Sequence, residues 1–164
     1  MQHLKEREYY DRTGVRFIKP FFDSHSARES CYGVYIKNNK VLMVQSVRSE
    51  KWEFPGGGKE IKEDNMHCLK REFYEETGHK ISSLRRKEPF YINEANFLSD
   101  DLVKYFKSKQ FYYLIKSCEK KVDKPSDTEN EIKNLQWLNL TNIHHYPLKP
   151  ISVVILNKLG HCFV

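Results

Sequence analysis

The stretch from residue 52 to residue 79, WEFPGGGKEIKEDNMHCLKREFYEETGH, restricts the fold of this chain more than any other part of it. Pro55 and the three glycines after it cannot continue a regular element, so we expect the backbone to turn there. A helical pattern follows, with apolar residues at i, i+3 and i+7, namely Met66, Leu69 and Phe73. Gly78 comes just after them and is typical of a helix C-terminus. The stretch therefore predicts a loop, a helix of about three to four turns, and a second loop.

Three carboxylates of this helix, Glu72, Glu75 and Glu76, are spaced i, i+3 and i+4 and share one face at the edge of the predicted core. Arg71 can reach Glu75 at i+4, but no Lys or Arg lies at helical spacing to compensate the other two. Oxygen ligands favour hard ions, so Mg²⁺ or Mn²⁺ would stabilise such a cluster. The alternative interpretation is a solvated acidic face.

The three carboxylates belong to a longer sequence motif, which is more specific than their helical spacing alone. Gly57 is followed after five residues by Glu63, and after seven more by REFYEETG, which begins at Arg71. This pattern resembles the signature of the Nudix hydrolase family, with His79 in a final position that is usually aliphatic. The resemblance implies a divalent-metal-dependent enzyme that hydrolyses a diphosphate linked to another group.

The resemblance also implies roles for the acidic residues. Glu72, Glu75 and Glu76 are expected to hold Mg²⁺, with Mn²⁺ as an alternative, and Glu76 is expected to be the most critical ligand. The carbonyl of Gly56 is a further candidate ligand. A positioned carboxylate would remove a proton from the attacking water.

Other residues of the motif are expected to support this site. Arg71 is expected to orient the carboxylates, because its planar fork holds two oxygens in fixed geometry. Glu63 either binds a further ion or is bridged by Arg71. Gly57 and Gly78, together with Glu63, are predicted to be structural.

The general base stays open between Glu72 and Glu131. Glu131 lies six residues before Trp137, where many members of the family place a carboxylate that reaches the metal cluster. Glu129 is a second choice, and weaker candidates are Asp100 and Asp101. Each of these also fits a solvated loop.

Two basic residues, Arg48 and Lys51, come just before Trp52. We expect them either to contact a substrate phosphate or to belong to a solvated loop.

Strand patterns alternate with only two clear helices, which predicts an α/β (α+β) fold. We expect an α/β/α sandwich with a mixed β-sheet and a loop-helix-loop catalytic motif, in agreement with the Nudix resemblance. Residues 99–109 are predicted to be loop-like, and residues 150–159 to form a closing helix. The 164 residues are expected to form one domain, with residues 1–29 as an N-terminal extension that packs on it.

The composition is that of a globular protein, with a net charge of +6 and no run of five to eight basic residues. A basic surface attracts anionic substrates such as nucleotides, but no specific nucleic-acid partner is expected. We predict a monomer or homodimer. The four cysteines show no CxxC pair, and no membrane span or signal peptide is found, which predicts free thiols and a cytoplasmic location.

The identity of the substrate depends on segments outside the motif. The Nudix resemblance implies that a Pro or Tyr some 15 to 18 residues past the motif would indicate ADP-ribose or a dinucleoside polyphosphate, and residues 94–97 contain neither. A nucleoside triphosphate, cleaved to its monophosphate and pyrophosphate, is therefore favoured. The alternatives are ADP-ribose, a nucleotide sugar or capped RNA, or a nucleotide-binding sensor without catalysis.

Overall fold

A computed structural model of the protein describes residues 6–10, 15–20, 26–99, 104–122 and 131–160. The elements that it contains, in chain order, are β1 (Glu6–Tyr10), β2 (Arg16–Pro20), β3 (Ser26–Lys37), β4 (Lys40–Ser46), β5 (Trp52–Glu53), β6 (Gly56–Gly58), α1 (Asn65–Thr77), β7 (His79–Leu84), β8 (Tyr91–Ser99), β9 (Lys104–Lys120), β10 (Ile132–Asn139), a 3-10 segment (Leu140–His145) and α2 (Pro150–Lys158).

The described strands form one mixed sheet in the order β10-β4-β3-β9-β8-β1-β2. β5 pairs with β4, β6 with β3, and β7 with β9. β3 and β9 run parallel over ten residue pairs, whereas most other neighbours are antiparallel. The predicted mixed sheet is confirmed, and β6 brings the three glycines beside β3.

A separate core lies on each face of the sheet. The first joins α1 to β3 and β9 through fully buried Leu69 and Phe73. The second packs α2 and the 3-10 segment against the other face, with Ile155 and Leu156 fully buried. These two cores give the predicted layers of helix, sheet and helix.

The hairpin between β3 and β4 turns at Asn38 and Asn39, which both adopt positive φ values, of 51° and 56°. Asn tolerates the left-handed region that a two-residue hairpin turn requires. The thiols of Cys31, Cys68 and Cys118 are free, as predicted. No helix of the described residues is long and apolar enough to cross a membrane.

The predicted loop over residues 99–109 is wrong where the structure describes it. β8 continues to Ser99 and β9 begins at Lys104, with these two residues paired. Strand pairing overrides the polar composition here, because β9 is held by β8 on one edge and by β3 on the other. Asp100 and Asp101 lie outside the described residues.

Candidate active site

Helix α1 presents the acidic residues, and both of its ends are fixed by capping. The side chain of Asp64 accepts a hydrogen bond from the backbone N–H of His67 at 2.8 Å. Gly78 adopts the left-handed conformation, with φ of 69°, and its N–H donates to the carbonyl of Tyr74. These are the favoured residue types for each end, so local sequence signals agree with both ends of this helix.

The guanidinium of Arg71 lies at the centre of the acidic cluster. Its Nε and Nη2 donate to the two oxygens of Glu63 at 2.9 and 2.8 Å. Its Nη1 donates to Glu72 at 2.7 Å and to Glu75 at 3.4 Å, and Nη2 also reaches the carbonyl of Gly58 at 3.0 Å. One side chain therefore links three carboxylates and the glycine strand β6.

This network corrects one expectation, that Glu72 has no basic partner. Arg71 is its chain neighbour, a spacing at which helical side chains normally do not face each other. The long arginine side chain folds back and uses the separate N–H groups of its fork, which have different directions.

Glu63 is bridged by Arg71, which was one of the two roles predicted for it. Its carboxylate also accepts the N–H of Glu60 at 2.9 Å, and its side chain is only 11% exposed. The hydrogen bonds from Arg71 are the largest cause that lowers the pKa of Glu63 below its ordinary value. The same contacts with Glu63 and Glu72 raise the pKa of Arg71, so the pair is charged at neutral pH.

Two glycines of β6 allow the close approach of helix carboxylates. The N–H of Gly56 donates to Glu76 at 2.8 Å, so the contact seen here is through the amide, and the role of the Gly56 carbonyl stays a prediction. A Cβ atom built on Gly57 would lie 2.5 Å from an oxygen of Glu72. Any larger residue at position 57 would displace that carboxylate.

The donor set suits a hard divalent cation by its chemistry. Glu72, Glu75 and Glu76 offer only oxygen, and the first of these is 17% exposed in a position shaped by Gly57. In the parts of the chain that the structure describes, no three His, Cys, Asp or Glu side chains converge to hold a metal ion. The carboxylates instead contact Arg71 and the Gly56 amide, so cation binding would require them to reorient.

Glu131 lies just before β10, a strand that contacts α1. It is exposed, and its carbonyl accepts the N–H of Val47 at 2.8 Å, just after β4. Its role as a base stays a prediction. Glu129 lies outside the described residues.

Arg48 and Lys51 belong to the turn between β4 and β5. Arg48 is exposed and Lys51 is half-buried. The turn is fixed by its backbone, since the carbonyl of Lys51 accepts the N–H of Ser46 at 3.1 Å. β5 then leads to the glycine strand, and a contact between these two side chains and a phosphate stays a prediction.

Two residues of β3 that sequence reasoning did not single out, Arg28 and Tyr32, lie beside the glycine strand β6. Arg28 lies along the glycine strand, since a Cβ on Gly58 would be 3.0 Å from its Nη2. Tyr32 lies opposite Gly56, and its pKa is raised, first by burial and then by the charge of Glu53. No sequence signal singles these residues out, because only the pairing of β3 with β6 places them beside the motif.

Comparisons with known proteins agree with this geometry. Residues 27–159 match the family model of the NUDIX domain. The fold is similar to that of a MutT protein from Bacillus halodurans, with a TM-score of 0.64 and 20% identity over 82% of this chain and 83% of that one.

Three relatives have described activities. The chain is 36% identical over 129 residues to a putative mRNA-decapping protein of Acanthamoeba polyphaga mimivirus, which covers 70% of this chain and 34% of that protein. It is 26% identical to the m7GpppN-mRNA hydrolase of Saccharomyces cerevisiae over 74% of this chain and 12% of that protein. An 8-oxo-dGTP diphosphatase of Buchnera aphidicola is 39% identical over 57 residues, which are 32% of this chain and 44% of that protein. The chain thus spans about a third of the mimivirus decapping relative and about an eighth of the yeast one.

The match of residues 27–159 to the family model agrees with the geometry of the site. That geometry consists of a capped helix, carboxylates linked by Arg71 and the glycine strand. The chain belongs to the Nudix family.

Proposed function

We propose that this protein uses a divalent cation to hydrolyse a nucleoside diphosphate linked to a further group. The observation that carries the proposal is the Arg71 network, which fixes Glu72 and Glu75 on one face of α1 beside the glycine strand. The glycines let phosphate groups approach the backbone closely. Mg²⁺ is the expected cation and Mn²⁺ the alternative.

Glu72, Glu75 and Glu76 are the residues that would hold the cation. When bound, a divalent cation supplies neutralising charge for the phosphates and lowers the pKa of a bound water. Arg71 is a positioning residue, because it touches the carboxylates and fixes their direction. Arg28 extends along the glycine strand and is a natural partner for a phosphate, since a guanidinium matches phosphate geometry.

The general base is expected to be Glu72 or Glu131. Glu72 is supported by its place on α1, where it lies against Gly57 and accepts a hydrogen bond from Arg71. Glu131 is supported by its place just before β10, a strand that contacts α1.

A nucleoside triphosphate is the first candidate substrate. The Buchnera relative, named for 8-oxo-dGTP, supports it over the 57 residues that it shares with this chain. The reaction would then release a nucleoside monophosphate and pyrophosphate.

Capped RNA is the second candidate, and the longer sequence matches favour it. The mimivirus and yeast decapping relatives each match at least 70% of this chain. The net charge of +6 also suits a polyanionic substrate.

The test is a substrate panel assayed with Mg²⁺, with Mn²⁺ and with a chelator. GTP, 8-oxo-dGTP, ADP-ribose and RNA with a labelled cap are incubated with the protein, and the products are separated by chromatography. We expect cation-dependent cleavage of GTP, of 8-oxo-dGTP or of the capped RNA. Cleavage that persists without any divalent cation, or binding of a nucleotide with no cleavage of any compound, would contradict the proposal.

A further inference from the structure

Two amide side chains form a hydrogen-bonded pair across β8 and β9. Asn93 Nδ2 donates to Gln110 Oε1 at 2.9 Å, and the hydroxyl of Tyr112 donates to the same oxygen at 3.2 Å. Asn93 and Gln110 are half-buried, whereas Tyr112 is 2% exposed. A buried ring and a neighbouring strand therefore fix the direction of the Gln110 amide.

The amide pair lies in the same sheet as the glycine strand β6, which is followed by β3, β9 and then β8. Tyr32 lies opposite Gly56 on one side and Tyr112 on the other, and the rings of the two tyrosines stack with centroids 5.0 Å apart. Gln110 is two residues along β9 from Tyr112, so both side chains point to the same face. Two strand spacings, about 10 Å, separate β6 from β9.

The glycine strand itself contacts the proposed cation-binding residues. The N–H of Gly56 donates to Glu76, and Tyr32 pairs with Gly56 across β3 and β6. A nucleotide whose phosphates lie at β6 would therefore extend its base along this face toward β9 and β8.

The remaining hydrogen-bonding groups of the amide pair are complementary to a base. Since Gln110 Oε1 accepts two hydrogen bonds, the Nε2 hydrogens of Gln110 and the Oδ1 of Asn93 are left to face a ligand. They form an adjacent donor and acceptor. The Watson–Crick edge of guanine offers the matching acceptor O6 and donor N1–H, and uracil offers the same pattern through O4 and N3–H.

We propose that Gln110 and Asn93 recognise the edge of the substrate base and give the enzyme a preference for guanine. This inference rests on the proposed function, since it takes the phosphates to lie at the glycine strand. The names of the relatives support guanine, because 8-oxo-dGTP and m7GpppN both contain a guanosine derivative.

A cross-strand amide pair also occurs where it has only a structural role. Asn134 Nδ2 donates to Gln45 Oε1 at 2.6 Å between β10 and β4, which lie at one end of the sheet order, and this bond is exposed to solvent. Removing Asn134 deletes the same kind of bond without touching the proposed base site. Asn134→Ala is therefore a matched control.

The experiment measures binding of GMP, AMP, CMP and UMP with Mg²⁺ by calorimetry, which does not depend on turnover. It uses the wild type, Gln110→Met, Asn93→Ala and Asn134→Ala, each checked for thermal unfolding. We expect the wild type to bind GMP about five- to tenfold more tightly than AMP, the range that a net hydrogen bond supplies. Gln110→Met and Asn93→Ala should reduce this ratio to about one, and Asn134→Ala should keep it. Asn93→Ser, which keeps an acceptor, replaces Asn93→Ala if that variant does not fold.

Equal binding of the four nucleotides by the wild type, or an unchanged ratio in both variants, would overturn the inference. Turnover of GTP and ATP separates this failure from that of the proposed function. Turnover without base preference overturns only the inference. Base-selective binding that the two variants abolish, without turnover of any substrate in the panel, supports the inference and overturns the proposed function.

Discussion

At the scale of single residues, the site depends on Arg71 and on the missing side chain of Gly57. Arg71 uses four of its hydrogen bonds on carboxylates and a fifth on the carbonyl of Gly58. Gly57 leaves the space that Glu72 occupies. Lysine in place of Arg71 would therefore lose the hydrogen bonds of the fork, and alanine in place of Gly57 would fill the space of the Glu72 carboxylate.

Arg71→Ala should impair both stability and activity. Three carboxylates would lose their shared cation, and Glu63 would stay largely buried without it, so we expect about 2 kcal/mol of destabilisation. Arg71→Lys keeps the charge but not the fork, and it should restore more stability than activity. Urea unfolding and kcat for each variant check this, and a loss of activity with unchanged stability in Arg71→Ala would contradict the role.

Gly57→Ala tests the space for Glu72 directly. The added Cβ would meet the carboxylate at 2.5 Å, so we expect kcat/KM to fall by at least about tenfold, the size of effect that misplacement of a reacting group produces. Ile61→Ala, at an exposed position of the loop between β6 and α1, is the comparison. Equal kcat/KM values for the two variants would argue against a specific role of position 57.

At the scale of elements, α1 forms where the sequence predicts it because its signals are local. Asp64 caps one end, Gly78 the other, and the buried residues recur at helical spacing. The loop prediction for residues 99–109 fails at the start of β9, because this polar segment is held by β3, whose residues come some 80 positions earlier in the chain. For the same reason the three carboxylates could be predicted from the sequence, whereas Arg28 and the pair of Asn93 and Gln110 could not.

The free energy of unfolding should depend on pH through the carboxylate of Glu63, in the loop before α1. Its pKa in the folded protein lies below the ordinary value of 4.5, chiefly because of Arg71. The stabilisation is therefore present above pH 4.5 and is lost as the pH falls through the lowered pKa of the folded state. Urea unfolding of the wild type and Glu63→Gln should show a difference in stability at pH 7 that shrinks toward pH 3. A difference that stays constant over this range would contradict the assignment.

At the scale of the whole molecule, the net charge of +6 bears on the choice between a free nucleotide and capped RNA. Each phosphate that a protein neutralises makes binding more sensitive to salt. If capped RNA is the substrate and three or more of its phosphates are contacted, its KM should rise about tenfold or more between about 50 and 200 mM salt. The KM for GTP should change less, and equal salt dependence for both would argue against contacts with the RNA chain.

The most direct test of the central claim is the rate of Glu76→Gln with Mg²⁺ at saturating substrate. Glu76 is joined to the glycine strand through Gly56, and Gln keeps its shape while removing its charge. Glu119→Gln, an exposed change at the end of β9, serves as the control. We predict that Glu76→Gln folds normally and loses at least about 100-fold in kcat, the size of effect seen when one electrostatic group is removed from an active site. A kcat close to that of the wild type would contradict the claim that the carboxylates of α1 hold the cation for hydrolysis.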